Sequence, residues 1–157
     1  MSEGRLVVIE MPSREGLRKG GCTAMIEKIL VPTDGSDHAR KAVKFACDLA
    51  LKYDATVYLL HVIPALRGRM YDQAALETVE AYLQRDSRAI IEEAEREAKS
   101  RGVAKVESAV LHGDSASEIR EFAKGKGVDM IVMGGSWSGQ YRNPFAWECF
   151  PQGLSSR

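Results

Sequence analysis

The chain has 157 residues, 45% of them hydrophobic and 28% charged, which suits one soluble domain built on a single core. Its 22 basic and 22 acidic residues cancel to a formal net charge of zero, so the cationic excess of a duplex-binding protein is missing and no nucleic-acid partner is expected. No apolar stretch approaches the ~18 residues of a membrane span, and no membrane partner is expected either.

Residues 1–24 have little order in their pattern. Leu6-Val7-Val8-Ile9 is a short apolar run, followed by Pro12, basic residues and Gly20-Gly21. Three readings stay open: a flexible arm, an extra edge strand, or a start assigned too early, with translation beginning at Met25. No secretory pattern is present, which makes the cytoplasm the expected compartment. Cys22, Cys47 and Cys149 stand far apart without metal-ligand spacing, so no metal site is expected. Cys47 falls on the apolar side of a helical pattern and reads as a buried thiol.

From Met25 the periodicity is regular. Ile29-Leu30-Val31 reads as a strand ending in Pro32-Thr33-Asp34-Gly35-Ser36, a loop in which Ser36 or Asp37 caps the next helix. Ala39, Ala42, Val43, Ala46, Leu49, Ala50 and Tyr53 give that helix one apolar face. Val57 to Ile63 is a second strand, ended by Pro64, and a loop with Gly68 leads to a helix from about Asp72 to Arg101. Its buried side is expected to be Leu76, Val79, Leu83, Ile90, Ile91, Ala94 and Ala98, and Gly102 stops it. Val106 to Leu111 is a third strand. Ser115-Ala116-Ser117-Glu118 has capping-box spacing and opens a helix with Ile119, Phe122 and Ala123 inward and Gly127 at its end. Met130 to Met133 is a fourth strand.

Strands alternating with helices predict an α/β fold, a parallel sheet with helices on both faces in the Rossmann-like manner. Ligands of such sheets bind beyond the carboxyl ends of the strands, which directs attention to the residues just after each one. After the first, a glycine-bearing loop entering a helix offers backbone N–H groups to phosphate or ribose, and Asp34 is either a ribose acceptor or magnesium ligand, or a helix cap. After the second stands His61, read as a hydrogen-bonded structural residue. After the third, Gly113 follows His112. No Ser-His-Asp order, HExxH, Walker lysine motif or paired catalytic acids are found, and no enzyme activity is expected.

Lys28-Ile29-Leu30-Val31-Pro32-Thr33-Asp34-Gly35-Ser36, then Leu59-Leu60-His61-Val62-Ile63, then Gly127-Val128-Asp129-Met130-Ile131-Val132-Met133-Gly134 resembles the universal stress protein family. The resemblance runs from Met25 to about Gly134. It implies a five-stranded parallel sheet, an ATP site (possible with Mg2+) and a homodimer joined through the last strand. By the same resemblance Pro32, Thr33 and Asp34 would meet ribose and phosphates, Val62 the adenine, and Met133 and Gly134 the start of a phosphate loop. That loop has the pattern Gly, two residues, Gly, nine residues, then Gly followed by Ser or Thr.

Residues 135–157 depart from the pattern. The second and third glycine positions hold Trp137 and Trp147, the two tryptophans of the chain. Tryptophan has one codon, TGG, and reading it one base late gives glycine whatever follows. The same shift permits Leu-Leu-Gly-Ser-Val-Ser from Phe145 to Phe150. A +1 frameshift near Gly135 or Ser136 is therefore expected, with the family's last helix and strand lost. Two consequences are expected for this chain, whose regular domain is residues 25–134: an open edge on the fourth strand, which is an aggregation hazard, and weakened nucleotide binding. The expected function is that of a stress-response protein that binds an adenine nucleotide. The alternative is a nucleotide-independent partner-binding module of the same fold. A receiver-type phosphoacceptor needs an acidic pair after its first strand, which Asp34 alone does not supply.

Overall fold

Ile29, Leu30 and Val31 are fully buried because their strand is covered on both faces, and this double coverage organises the whole domain. The computed structural model describes residues 5–10, 26–65 and 73–135. The elements are β1 (Arg5–Glu10), β2 (Lys28–Pro32), α1 (Asp37–Tyr53), β3 (Thr56–Pro64), α2 (Gln73–Ser100), β4 (Val106–Gly113), α3 (Ser115–Lys126) and β5 (Met130–Gly135). The sheet order is β1-β5-β2-β3-β4. β2, β3, β4 and β5 run parallel, as alternating strands and helices require. The expected loop at Gly68, the start at Met25 and the shifted tail with Trp137 and Trp147 lie outside the described residues.

Alternation along each strand sorts its side chains between two cores. On one face Ile29, Val31, Val57, Leu59 and Val132 pack with Ala42, Val43, Ala46 and Cys47 of α1 and with Ile91, Ala94 and Ala98 of α2. On the other, Leu30, Tyr58, Leu60 and Ile131 pack with Ile119 and Ala123 of α3. Among the described residues no helix is long and apolar enough to cross a membrane.

Four expectations are corrected. Residues 5–10 of the expected arm form β1, paired antiparallel with β5 from Arg5↔Gly135 to Glu10↔Met130. The edge of β5 is therefore covered, because an apolar run whose N–H and C=O groups need partners pairs with an open strand wherever it reaches one. Asp114, not Ser115, caps α3, accepting from the Ser117 amide at 3.0 Å. Glu118 instead lies against Gly113, at φ +150°. Tyr53, expected on the inner face of α1, is 36% exposed, as the chain turns away there through the left-handed Asp54. Val79 is 40% exposed, and Leu76 and Leu83 are only half-buried. The reason is length: 28 helical residues span about 42 Å, whereas the 8 residues of β4 span about 26 Å. The helix is seated on the sheet only from Ser87 onward.

Candidate functional site

From β2 the chain moves outward through β3 to β4, then returns to place β5 on the opposite side of β2. The order reverses between β2 and β5, and the crevice at their carboxyl ends is the ligand position of a doubly wound sheet. Pro32, Thr33, Asp34, Met133 and Gly134 all stand at that crevice, and Val62 lies one strand further along.

The loop after β2 is held by its own hydrogen bonds. The Thr33 amide donates to the Leu60 carbonyl at 2.8 Å, and the His61 ring meets the Thr33 carbonyl through Nδ1 at 2.7 Å. A carbonyl only accepts, so Nδ1 carries the proton. Thr33, 7% exposed, receives the Gly35 amide on Oγ1 at 3.3 Å. Asp34 Oδ1 receives the Ser36 amide at 2.9 Å, and Ser36 Oγ receives the Ala39 amide at 3.2 Å as the N-cap of α1. The capping alternative for Asp34 is thereby answered: Ser36 is the cap, and Asp34 closes the turn before it. Asp34 is exposed. Partial burial pushes its carboxyl up, but the hydrogen bonds from Ser36 outweigh it and hold the group below its ordinary 3.8. At neutral pH it is an exposed anion at the end of β2.

Both glycines of this region are fixed by packing. Gly35 has φ +78°, and a Cβ there would lie 3.0 Å from Ile90 Cγ1 of α2. A Cβ on Gly134 would fall inside the His38 carbonyl group and 2.8 Å from the Ala39 amide nitrogen, so the first turn of α1 rests directly on the end of β5.

Strand alternation puts Pro32, Val62 and Met133 on the α3 side of the sheet, all three half-buried. Val62 and Met133 pack against the same apolar cluster. Leu30 pairs with Ile131 and Pro32 with Leu60, which sets Pro32 level with Met133 and Val62 two residues further along β3, a stepped apolar shelf at the strand ends. The Asp34 carboxylate stands at the end of β2 beside it. The shelf is a surface suited to a flat heterocycle, and the carboxylate is an acceptor suited to hydroxyl groups. A separate groove of about 190 Å3 lies between α1 and α2, lined by Gly35, Val43, Ile90 and Ala94 and bridged by Arg40 and Glu93 at 3.0 Å. It is on the opposite face from the shelf. Among the described residues no group of three or more His, Cys, Asp or Glu could hold a metal ion.

The residues that order this site were partly hidden in the sequence. The His61 contact with Thr33, the Ile90 contact with Gly35 and the His38 contact with Gly134 all join separate elements. For His61 alone there was a signal, a polar residue within an otherwise apolar strand.

Fold and crevice together define an α/β protein of the doubly wound class. The description "Universal stress protein family" matches residues 25–142, and the chain belongs to that family. It is 33% identical over 111 residues to the universal stress protein MJ0531 of Methanocaldococcus jannaschii, covering 70% of this chain and 65% of the relative. The chain thus spans just under two thirds of that relative's length. Its identity to the universal stress protein YxiE of Bacillus subtilis is 33% over 118 residues, covering 70% of this chain and 79% of the relative. Among solved structures, a member of the family from Burkholderia pseudomallei superposes with a TM-score of 0.61 at 27% identity, covering 73% of this chain and 85% of that one. More distant is a universal stress protein solved in complex with cAMP, at 23% identity and a TM-score of 0.49 over 68% of this chain and 70% of that one; the cyclic nucleotide is that protein's ligand.

Proposed function

We propose that the chain binds an adenine nucleotide, ATP in the first instance, in the crevice between β2 and β5, as a cytoplasmic stress-response protein with a binding rather than catalytic role. The observation that carries this reading is the pairing of an ionised, exposed Asp34 with the apolar shelf of Pro32, Val62 and Met133 at the reversal of strand order. Family membership supports the adenine nucleotide and a homodimer. Asp34 accepts from the ribose hydroxyls and the shelf takes the base. Binding is weak for the family, because Trp137 and Trp147 stand where the phosphate loop has glycine.

Titration calorimetry of the full chain tests the proposal. Adenine nucleotides bind and guanine nucleotides bind at least tenfold more weakly, and Asp34→Ala lowers adenine affinity without lowering the melting temperature of the free protein by more than a degree or two. Equal affinity for the two bases, or unchanged affinity in the variant, favours the partner-binding module of the same fold instead.

A further inference from the structure

β4 is the outermost strand on the side of the sheet away from β1, and among the described residues no strand pairs with its outer edge. Two backbone contacts fix which of its groups point outward. The Lys105 carbonyl accepts from the Val57 amide of β3, and the Gly113 carbonyl from the Ala65 amide just beyond β3. A residue's N–H and C=O leave a strand on the same side and alternate from one residue to the next, so Glu107, Ala109, Leu111 and Gly113 turn to β3. Val106, Ser108, Val110 and His112 then turn four N–H and four C=O groups outward. No proline, lysine or bulge blunts the edge between Val106 and Gly113.

We infer that this edge docks a second copy of the chain, antiparallel about a two-fold axis normal to the sheet. Such an axis keeps each face of the sheet on its own side, so only residues of like face come opposite one another. The register centred on Ala109 sets Val106 opposite the partner's His112 and Ser108 opposite the partner's Val110, and it uses all four outward N–H and all four outward C=O groups. The small Ala109 then meets its own copy in a non-hydrogen-bonded pair, where strands approach most closely. Two five-stranded sheets become one of ten strands.

The helix above this edge fits the same axis. α2 packs on both β3 and β4, so the two copies of α2 lie about 10 Å apart, an ordinary packing distance. Glu93 bridges to Arg40 and marks the flank that faces α1. Glu95 bonds Ser108 of β4 and marks the opposite flank, shared at helical spacing by Arg88 and Glu92. One strand residue advances about as far as two helix residues, which puts the axis at Ala109 level with Glu92. Arg88 of each copy comes within about one residue of level with the partner's Glu95, so the charges are complementary. Glu92 meets its own copy between these pairs, and that repulsion keeps the dimer weak. A self-complementary row of backbone groups beside a self-complementary charge pair suits an isologous contact rather than an unrelated extended segment. The surface rests on the homodimer reading above, and the crevice between β2 and β5 takes no part in it.

Sedimentation equilibrium of the full chain tests this. The parent protein is expected to pass from monomer to dimer as its concentration rises through the micromolar range. Val110→Pro removes an outward N–H that the β3 ladder does not use, and is expected to abolish the dimer while the monomer keeps a cooperative melt. Arg88 and Glu92 are exposed, so changes there leave the fold intact even if the proline variant does not fold. Arg88→Glu is expected to weaken the dimer about tenfold, and Glu92→Gln to tighten it about threefold. A dimer whose dissociation constant neither helix variant moves overturns the inference and leaves the homodimer to another surface. A monomer at every concentration overturns both.

Discussion

Gly134 of β5 lies against the main chain of His38 in the first turn of α1, so closely that no β-carbon fits between them. The contact fixes the helix to the strand on the far side of β2 and narrows the crevice between them. It also assigns Gly134 a reason that needs no ligand.

Gly134→Ala is expected to lower stability by about 1–3 kcal/mol, the usual range for overpacking a close contact. The atoms it meets are main chain and cannot rotate away. Urea denaturation at unchanged slope reads the loss. A midpoint equal to that of the parent protein would show that α1 moves off β5 without cost.

Ser36 and Asp34 separate capping from recognition. Ser36→Ala removes the acceptor for the Ala39 amide and is expected to cost about 1 kcal/mol, with adenine affinity falling less than for Asp34→Ala. Thermal melts paired with titrations give both numbers for each variant. The reverse ranking would make Ser36 the ligand group and Asp34 the structural one.

The depressed Asp34 carboxyl also predicts a pH dependence. A carboxyl whose folded value lies below its unfolded one contributes stability that is fully present above the unfolded value, near 3.8, and lost as pH falls through the lower folded value. The stability difference between the parent protein and Asp34→Asn is therefore expected to be constant from about pH 5 to 8 and to shrink below about pH 4. A difference that changes between pH 6 and 8 would mean that another group titrates with the turn.

β1 covers β5 from the edge of the sheet, so the alternate amides of Leu6 to Ile9 that point at β5 are expected to exchange slowly with deuterium. Removing residues 1–10 uncovers the apolar edge Met130–Gly135, and the shortened chain is expected to self-associate at concentrations where the full chain does not. Light scattering of the two proteins decides this. Fast exchange across Leu6 to Ile9 would return the segment to a loose arm.

Cys47 is fully buried in the core beneath α1, and burial pushes its thiol up to about 11. At pH 8 roughly one molecule in a thousand then carries the reactive thiolate. Alkylation at Cys47, followed by mass spectrometry of its peptide, is expected to be negligible in the native protein and complete in denaturant. Ready labelling of the folded protein would mean that α1 opens locally.

Local pattern was enough to place four parallel strands, three helices and the loop that carries Pro32, Thr33 and Asp34, because burial on one or two faces writes a period into the sequence. It was enough too for the family, whose motifs sit at strand ends where little else constrains them. What it left open needed distance. A four-residue apolar run such as Leu6 to Ile9 says that a partner is required but not which one, and β5, more than 120 positions on, is found only by folding. Gly35 and Gly134 look alike as phosphate-binding glycines until Ile90 and His38 arrive beside them, since a glycine's reason is whatever approaches its missing side chain. Val79 repeats the helical period of Ala94 and Ala98, yet it stays exposed because periodicity records which way a residue faces and not where the sheet beneath it ends.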